Sequence, residues 1–327
     1  MTHMFAFDPS WFVDSVLIFT LAVIIDLAIG EYPDRIHPTI GIGKLIIFFK
    51  VKAKDPNPKI EKANGVAMAV VIILIAALPA FLVLYLIRML PYGEILYIIV
   101  GAILFKATFA ISGMGQYTKP IAAALKRNDL AGARKWLPYI VRRDPNSLNE
   151  RQIISAAVES IAESTTDGIT APFFFFALFG VPGAFAYRVI NTLDSMVGYK
   201  TVEFRNIGWF SAKMDTITNW LPARITAYLM IISALFLGEN WREAWSVLQR
   251  DKHKTSSPNA GFTISAMAGA LSIQLEKQGS YKLGDDHGHI SHEDIGKALR
   301  VMTLTAVLFG LVVVVPIVAL RVYVVGF

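Results

Sequence analysis

Polar side chains suited to metal, phosphate or proton chemistry are concentrated in one part of a strongly apolar chain. They lie beside or between the hydrophobic runs Ile169–Ile190 and Leu221–Leu237. Because an ionised group at membrane depth costs about 2.5–3.5 kcal/mol, each must be paired, hydrated or used on a ligand. The pattern predicts a polar site within an integral membrane protein. Its residues are Glu159, Glu163, Asp167, Asn191, Asp194, Asp215, Asn219 and Arg224.

Three of these acids recur at every fourth position of a segment that otherwise suits a helix, Ser155–Gly168. The spacing places Glu159, Glu163 and Asp167 along one helical face. Like charges so arranged favour a bound cation, and Mg²⁺ prefers a few carboxylates, waters and phosphate oxygens. The alternative is a solvated acidic face, or pairing with Arg151 and neighbouring basic residues.

Two further pairs follow at helical spacing. Asn191 and Asp194 share a face at i, i+3, and Asp215 and Asn219 share one at i, i+4. Helix capping is the alternative role for the first pair. Arg224 comes next, where a guanidinium can hold a phosphate or carboxylate bidentately, or anchor the apolar run by snorkelling. The two pairs and the arginine together indicate substrate contacts.

A turn follows, made by Ser257–Gly261 and preceded by Arg250 and Asp251. A turn that leads into a helix N-terminus can present backbone N–H groups to an anion. Ser257 and Asn259 are therefore candidate substrate contacts, together with the two charged residues before them. The alternative is an ordinary tight loop leading into a close-packed helix.

The histidines give weaker signals. His37 lies at the membrane surface, close to the first apolar run, and is a candidate substrate contact. The loop Gly279–His292 is polar and carries two aspartates, so its histidines could bind a transition metal or form an exposed loop tip. These histidines are His287, His289 and His292.

Composition supports a membrane protein. Hydrophobic residues make up 54% of the 327, only 17% are charged, and the sequence contains no Cys. Soluble domains are usually about 25% charged. The absence of Cys excludes disulfides, thiolate catalysis and Cys-ligated metal centres. The net charge of +6 resides in loops, which the positive-inside rule explains without nucleic-acid binding. No phosphate-binding loop of the P-loop type and no dinucleotide fingerprint occurs.

Four long apolar runs predict membrane spans. The first is too long for a signal-peptide core and lacks a small-residue cleavage site, which indicates a retained anchor. Pro316 predicts a kink in the last, because proline removes one helical hydrogen bond. The four runs are Trp11–Ile29, Val66–Leu90, Ile95–Ile111 and Val301–Val325.

Two apolar segments are less regular. Ile169–Ile190 contains Pro172 and Gly180–Gly183, which predict a broken or re-entrant helix that needs protein or water beside it. Leu221–Leu237 is barely long enough to cross. The predicted fold is an all-α polytopic membrane protein with four clear spans, these two short helices and amphipathic cytoplasmic helices. The whole chain, 1–327, forms a single integral membrane domain.

Loop charge predicts orientation. Segments 31–65, 112–168 and 238–300 are rich in Lys and Arg, whereas the start of the chain carries Asp8 and Asp14 and no Lys or Arg. The N-terminus is therefore expected outside and the basic loops inside. The two short segments then both cross or both fail to cross. The second option, which we prefer, keeps 191–220 with the other motifs on the cytoplasmic side of the cell membrane.

These motifs together resemble the membrane adenosylcobinamide-phosphate synthases of cobalamin biosynthesis. The resemblance extends over residues 26–275 in the family's motif order. Asp215-Thr216 departs from it, since the family commonly has two adjacent acids there. The motifs that carry the resemblance are Ala157–Gly168, Asn191–Tyr199, Asn219–Arg224 and Ser257–Gly261, with the Asp26 to Gly41 stretch and the run Ala266–Leu271.

The resemblance implies an ATP-dependent amide synthase. A propionate carboxylate of adenosylcobyric acid would be joined to the amine of (R)-1-aminopropan-2-ol phosphate or a related amino-alcohol or threonine phosphate. Activating a carboxylate, through an acyl phosphate, requires Mg²⁺ to neutralise phosphate charge. The residues expected to bind Mg²⁺ and the nucleotide phosphates are Glu159, Glu163, Asp167 and Asp194. Asp215 and Asn219 would orient substrate.

Three other classes remain open. A secondary transporter of corrinoid or cations would also use a broken span and buried charges. An intramembrane prenyltransferase would show paired aspartate-rich motifs, and a non-catalytic sensor could keep the fold. The expected partners of the synthase are the corrinoid, the phosphorylated amino-alcohol, ATP and the lipid bilayer, but no nucleic acid. A homo-oligomer is left open.

Overall fold

The computed structural model describes residues 9–33, 35 and 37–326, and most of these are helical. The predicted all-α architecture is confirmed, apart from one short antiparallel hairpin. The elements are α1 (Pro9–Ile29), α2 (Pro38–Ala53), α3 (Pro58–Arg88), α4 (Glu94–Lys106), α5 (Ile111–Lys126), α6 (Leu130–Trp136), α7 (Glu150–Ser164), α8 (Ala171–Val197), α9 (Trp209–Thr218), α10 (Trp220–Leu237), α11 (Trp241–Asp251), α12 (Ala260–Ala270), β1 (Leu275–Lys277), β2 (Tyr281–Leu283), α13 (His292–Phe309) and α14 (Val315–Val325).

Short turns of other helical types connect several elements. Two 3₁₀ turns, Leu137–Tyr139 and Pro145–Ser147, lead into α7. Two π-helical turns, Thr165–Thr170 and Gly310–Val314, follow α7 and α13. The described residues divide into two compact units. The first unit takes Met1–Ala110, Ala171–Thr218 and Gly310–Phe327, and the second takes Ile111–Thr170 and Asn219–Phe309.

Local sequence determines where several helices begin. Helices α2 and α3 each start with a proline, which suits the first helical turn because its missing N–H has no partner there. His37 and Asn57 cap these two helices with side-chain acceptors. Helix α7 begins with a capping box, in which Asn149 and Gln152 satisfy each other's backbone N–H.

Aromatic side chains fill part of the first unit's interior. Phe105 of α4 stacks on Phe176 of α8 with ring centroids 4.1 Å apart, and Phe19 of α1 packs edge-on against Phe173 at 4.7 Å. Burial of such large rings contributes strongly to the packing between these helices. A second apolar cluster joins α2 and α3 to the C-terminal half of α8.

The predicted break in the segment 169–190 is confirmed. Helix α8 is interrupted at Gly180, which adopts φ 66° and ψ −162°, a conformation that only glycine takes readily. The break leaves backbone carbonyls without helical donors. Arg321 of α14 supplies them, with Nη1 lying 3.1 Å from the carbonyl oxygens of both Phe176 and Ala177. Its Nη2 donates to Ser15 Oγ at 2.8 Å.

We expect Arg321→Met to destabilise the protein by about 1–3 kcal/mol, because it removes charged donors from two carbonyls at membrane depth. Thermal unfolding in detergent micelles measures the effect. Arg300→Met is the matched control, since the Arg300 side chain is 63% exposed and lies 3.6 Å from Glu239. Equal melting temperatures for the two variants would contradict the capping role.

Helices α11 and α12 pack closely in the second unit. A Cβ on Gly269 would lie 2.5 Å from the Glu243 carbonyl oxygen, so only glycine permits this approach. The β1–β2 hairpin packs against α7, where the Ser155 hydroxyl accepts a hydrogen bond from the Glu276 amide at 2.7 Å. This contact places a strand edge beside the helix that carries Glu159.

Six helical segments of the described chain are long and apolar enough to cross a membrane. They include the four predicted spans, the broken segment and Leu221–Leu237, whose helix reaches 18 residues. A π-helical turn directly precedes Pro316, consistent with its expected effect on the last span. The segments are Ser10–Ile29, Pro58–Arg88, Glu94–Lys126, Glu150–Val197, Trp220–Leu237 and His292–Val325.

Candidate functional site

The predicted site residues divide between the two units. The first unit carries His37, Asn191, Asp194 and Asp215. The second unit carries the remainder, which are Glu159, Glu163, Asp167, Asn219, Arg224, Arg250, Asp251, Ser257 and Asn259.

Two motifs meet in the first unit. Asn191 of α8 donates from Nδ2 to Asp215 Oδ1 of α9 at 3.3 Å. The contact joins residues 24 positions apart and gives the Asp215 carboxylate a fixed neighbour. Packing of α8 against α9 produces it, and sequence spacing alone does not reveal it.

Asp194 lies one helical turn further along α8 and is half-buried. Within the described part of the chain its carboxylate has no hydrogen bond and no ion-pair partner. Gly198 leaves it room, because a Cβ there would lie 2.0 Å from Asp194 Oδ1. A partly desolvated carboxylate without a protein partner is suited to bind a cation or an ammonium group.

His37 belongs to a chain of charged groups. Its Nδ1 accepts the Thr39 amide at 3.2 Å, and its Nε2 lies 3.2 Å from Glu31 Oε2. Glu31 also lies 3.0 Å from the Nζ of Lys106, which is fully buried. Burial opposes ionisation of Glu31, but His37 and Lys106 outweigh it and lower the Glu31 pKa. Both His37 ring nitrogens thus contact protein, and one of them caps α2. The substrate contact of His37 stays a prediction.

Glu159 has a cation partner. Its Oε2 accepts from Arg143 Nη2 at 2.5 Å and from the Tyr281 hydroxyl at 2.8 Å, and Ser155 lies 2.9 Å from Oε1. Burial, followed by the Glu159 charge, raises the pKa of Tyr281, so this phenol stays protonated and donates. Pairing with a basic residue was the alternative to metal binding, although Arg143 rather than Arg151 is the partner.

The other two acids of this row have different surroundings. Glu163 is exposed on α7, whereas Asp167 is half-buried in the π-helical turn, which changes the register expected from a continuous α-helix. Among the described residues, no three His, Asp, Glu or Cys side chains come together as a metal site. Mg²⁺ needs only one or two carboxylates plus substrate phosphates. In the second unit Glu163 and Asp167 are of the type required, and in the first unit Asp194 is; Glu159 is paired with Arg143, and its metal role stays a prediction.

Arg224 is held between aromatic rings. Its guanidinium lies 4.2 Å from the Trp220 ring centroid and 4.4 Å from that of Phe262. One amino group donates to the Trp220 carbonyl at 2.5 Å and to Asn259 Oδ1 at 3.3 Å. Stacking and hydrogen bonding orient the guanidinium at the start of α12, where a helix N-terminus favours anions.

The predicted anion-binding turn is partly closed by its own serine. Ser257 Oγ accepts the amide of Asn259 at 3.3 Å and that of Ala260 at 3.2 Å. These two N–H groups are therefore used within the turn. Gly261 lies so close to the Lys252 carbonyl that a Cβ would approach its oxygen to 2.3 Å. The turn places the Asn259 side chain where it accepts a hydrogen bond from Arg224. Its main contribution to an anion site is therefore to orient the Arg224 guanidinium.

Arg250 and Asp251 tie down the loop that follows the hairpin. Arg250 Nη1 contacts both carboxylate oxygens of Asp285, at 2.9 and 3.0 Å, and Asp251 Oδ2 accepts the Gly284 amide at 2.9 Å. His287 Nε2 lies 2.8 Å from Glu243 Oε1, which raises the His287 pKa. The residues Asp285 to His287 thus contact protein side chains.

The Asp251 contact predicts a pH dependence. Burial opposes ionisation of Asp251, but hydrogen bonds from Arg250, Lys254 and Gly284 hold its pKa at about 2, below the usual 3.8. A carboxyl with a lowered pKa stabilises the fold above its unfolded pKa and loses this contribution as pH falls. Unfolding of Asp251→Asn and of the parent chain should differ most above pH 4. The difference should shrink by about 2 kcal/mol by pH 2.

Urea unfolding in detergent micelles at several pH values measures that difference. Asp55→Asn, in the loop before α3, serves as the matched control. A difference between parent and Asp251→Asn that stays constant from pH 5 to pH 2 would contradict the linkage.

Sequence reasoning missed Arg143, Tyr281 and Lys106. Arg143 is one of many cations in the segment 112–168, whose charge indicates only orientation, and Tyr281 lies beyond the motifs. Lys106 lies within the apolar run Ile95–Ile111 and is easily taken for a snorkelling lysine. A basic residue inside such a run, with Asp26 near the end of another, was the available signal for a buried pair, and their charged groups lie 3.4 Å apart.

The fold and these clusters define a class of protein: an α-helical protein with membrane-spanning helices and polar side-chain clusters. A family model described as CobD/Cbib protein matches residues 19–302. The "Probable cobalamin biosynthesis protein CobD" of Methanothermobacter thermautotrophicus is 41% identical over 92% of this chain and 99% of its own length. The CobD protein of Dehalococcoides mccartyi is 40% identical over 83% of this chain and 87% of its own length. That of Thermoplasma acidophilum is 38% identical over 92% of this chain and 97% of its own length. No solved structure matches.

The chain belongs to the CobD/Cbib family and acts in cobalamin biosynthesis. The family resemblance stated from the motifs is thereby confirmed.

Proposed function

We propose that this protein is an ATP-dependent amide synthase of the cytoplasmic membrane, with its site facing the cytoplasm. It joins a propionate carboxylate of adenosylcobyric acid to the amine of (R)-1-aminopropan-2-ol phosphate or a related amino-alcohol or threonine phosphate. The observation that carries the proposal is membership of the CobD/Cbib family across residues 19–302. The described side-chain clusters supply groups with the chemistry that this reaction needs.

Amide formation from a carboxylate requires two changes of bonding. The carboxylate oxygen takes the terminal phosphoryl group of ATP and releases ADP, which gives an acyl phosphate. The amine then attacks the acyl carbon, inorganic phosphate leaves, and the nitrogen loses a proton. The protein must therefore bind phosphates, fix an amine and remove a proton.

Arg224 is a phosphate-binding candidate of the second unit. Its guanidinium is stacked between Trp220 and Phe262 and keeps N–H donors beyond those used on the Trp220 carbonyl and Asn259. A planar, fixed guanidinium at a helix N-terminus loses little entropy on binding a phosphate. We assign Arg224 to a phosphate of the nucleotide or of the acyl phosphate.

Asp194 is the carboxylate of the first unit best suited to a cationic ligand. It lacks a partner within the described chain and lies one turn from the Asn191–Asp215 contact. When bound, Mg²⁺ would neutralise phosphate charge. Asp194 is the residue of the first unit proposed to hold it, and Glu163 and Asp167 are the candidates of the second unit. Glu159 is proposed to position Arg143 instead.

One assay tests the function directly. Purified protein is incubated with ATP, MgCl₂, adenosylcobyric acid and aminopropanol phosphate, and the corrinoid is weighed by mass spectrometry. The expected product has the mass of the amide, and ADP and phosphate accumulate in equal amounts. An unchanged corrinoid mass, together with corrinoid uptake into proteoliposomes, would contradict the synthase hypothesis and support the transporter hypothesis.

A further inference from the structure

A cavity in the second unit lies outside the sequence motifs, and its lining includes Arg143, the partner of Glu159. Its volume is about 190 Å³, and it opens beside the N-terminal end of α7 and the β1–β2 hairpin. Pockets for drug-sized ligands have volumes of about 300–1,000 Å³, so this cavity suits a smaller molecule. Six of its seven lining residues are polar or charged, and the lining consists of Arg143, Ser147, Leu148, Gln152, Glu276, Lys277 and Gln278.

The cavity walls are held in place by hydrogen bonds. Ser155 accepts the Glu276 amide, and Tyr281 donates to Glu159, so both strands of the hairpin are attached to α7. Arg143 is attached to the same carboxylate and reaches the Glu276 carbonyl at 3.4 Å. These contacts use two of the five N–H donors of its guanidinium. The remaining donors are available on a side chain that lines the cavity.

Charges of both signs line this space. Lys277 is exposed, and its ammonium group makes no contact with the described side chains. Arg143 is the second cation, and its own charge is balanced by Glu159. The Glu276 carboxylate is the single anion of the lining, lying 3.5 Å from both Gln152 Nε2 and Lys282 Nζ. A ligand matched to this lining carries a negative group for the two cations and a positive group for Glu276.

We infer that this cavity binds the small amino-alcohol phosphate, with Lys277 and Arg143 on its phosphate and Glu276 on its ammonium group. The inference rests on the proposed function for the identity of the ligand. The molecule carries an ammonium group and a phosphate of about −1.5 to −2 charge, which matches the signs of the lining. The amino-alcohol phosphate is small enough for this volume, whereas a nucleotide or a corrinoid would extend well beyond it.

Calorimetric titration of the purified full-length protein in detergent tests the site. The probes are 1-aminopropan-2-ol phosphate, inorganic phosphate and 1-aminopropan-2-ol. We expect the zwitterion to bind at least about tenfold more tightly than either fragment, because only it engages both charges. Equal affinity for inorganic phosphate would overturn the inference in favour of a general anion site.

Lys277→Gln and Glu276→Gln should each weaken binding of the zwitterion by about tenfold or more. In turnover they should raise the KM for the amino-alcohol phosphate and leave those for ATP and adenosylcobyric acid unchanged. Lys135→Gln, the same charge change at an exposed residue of α6, is the control. Because Lys277 is exposed, Lys277→Gln should leave the packing of the protein unchanged. The test therefore stands even if Glu276→Gln lowers the yield of folded protein. Unchanged binding in Lys277→Gln, or equal weakening in Lys135→Gln, would overturn the assignment.

Failure of this site differs from failure of the proposed function. If the parent protein forms the amide and the Lys277 and Glu276 variants keep the parent KM for the amino-alcohol phosphate, the function holds and the cavity assignment is wrong. If the parent forms no amide yet binds the zwitterion in a Lys277-dependent way, the site holds and the reaction is wrong.

Discussion

Asp194→Asn is expected to lower amide formation by about 10²–10³-fold or more while the protein inserts and accumulates normally. The range is that measured when one preorganised electrostatic group is removed from an active site. Asparagine keeps the size of the side chain and removes its charge. Because the carboxylate has no partner within the described residues, no buried cation loses its counter-charge in the variant. Activity and stability should therefore separate.

Steady-state turnover and the melting temperature in detergent, measured on the same preparation, test this expectation. Glu203→Gln is the control, because Glu203 lies in the same unit with its side chain 59% exposed and 3.9 Å from Lys50. Turnover of Asp194→Asn within a few-fold of the parent would remove Asp194 from the proposed chemistry. A large fall in its melting temperature would make its role structural.

Glu159→Gln is expected to abolish product formation and also to destabilise the fold by about 3 kcal/mol. The variant leaves the Arg143 guanidinium partly buried without its counter-charge, and losses of this kind are about 3–5 kcal/mol. The lower value applies because 18% of the Arg143 side chain remains exposed. The sequence alone predicts normal yield for this variant, and the Arg143 contact adds the loss of stability.

A double variant separates the two effects. Arg143→Met with Glu159→Leu removes both charges, and replacing a buried pair by apolar side chains is often neutral for stability. We expect the double variant to regain most of the lost stability and to remain inactive, since Arg143 is proposed to contact the phosphorylated amine. Full activity in the double variant would show that neither side chain takes part. Unchanged stability in Glu159→Gln would contradict the pairing.

Much of the architecture followed from the sequence, because apolar length and backbone chemistry act locally. Four spans could be located from runs of apolar residues, and Gly180 with Pro182 indicated the interruption of α8. The motif order also identified the family. What spacing did not show was the register change at Thr165–Thr170, because a π-helical turn depends on packing more than on composition.

The tertiary structure determines which residues distant in the chain become the hydrogen-bond and ion-pair partners of the site side chains. Spacing placed Glu159 on a helical face with other acids, but only the packing of the hairpin and of the loop before α7 brings Tyr281 and Arg143 to it. The same is true of Arg224, whose meeting with Asn259 depends on how α10 packs against α12. A sequence shows which charges the chain must satisfy. Which group pairs with each charge depends on helix packing. Water and salt screen the attraction between charges, so it becomes strong only between groups that packing brings close together away from water.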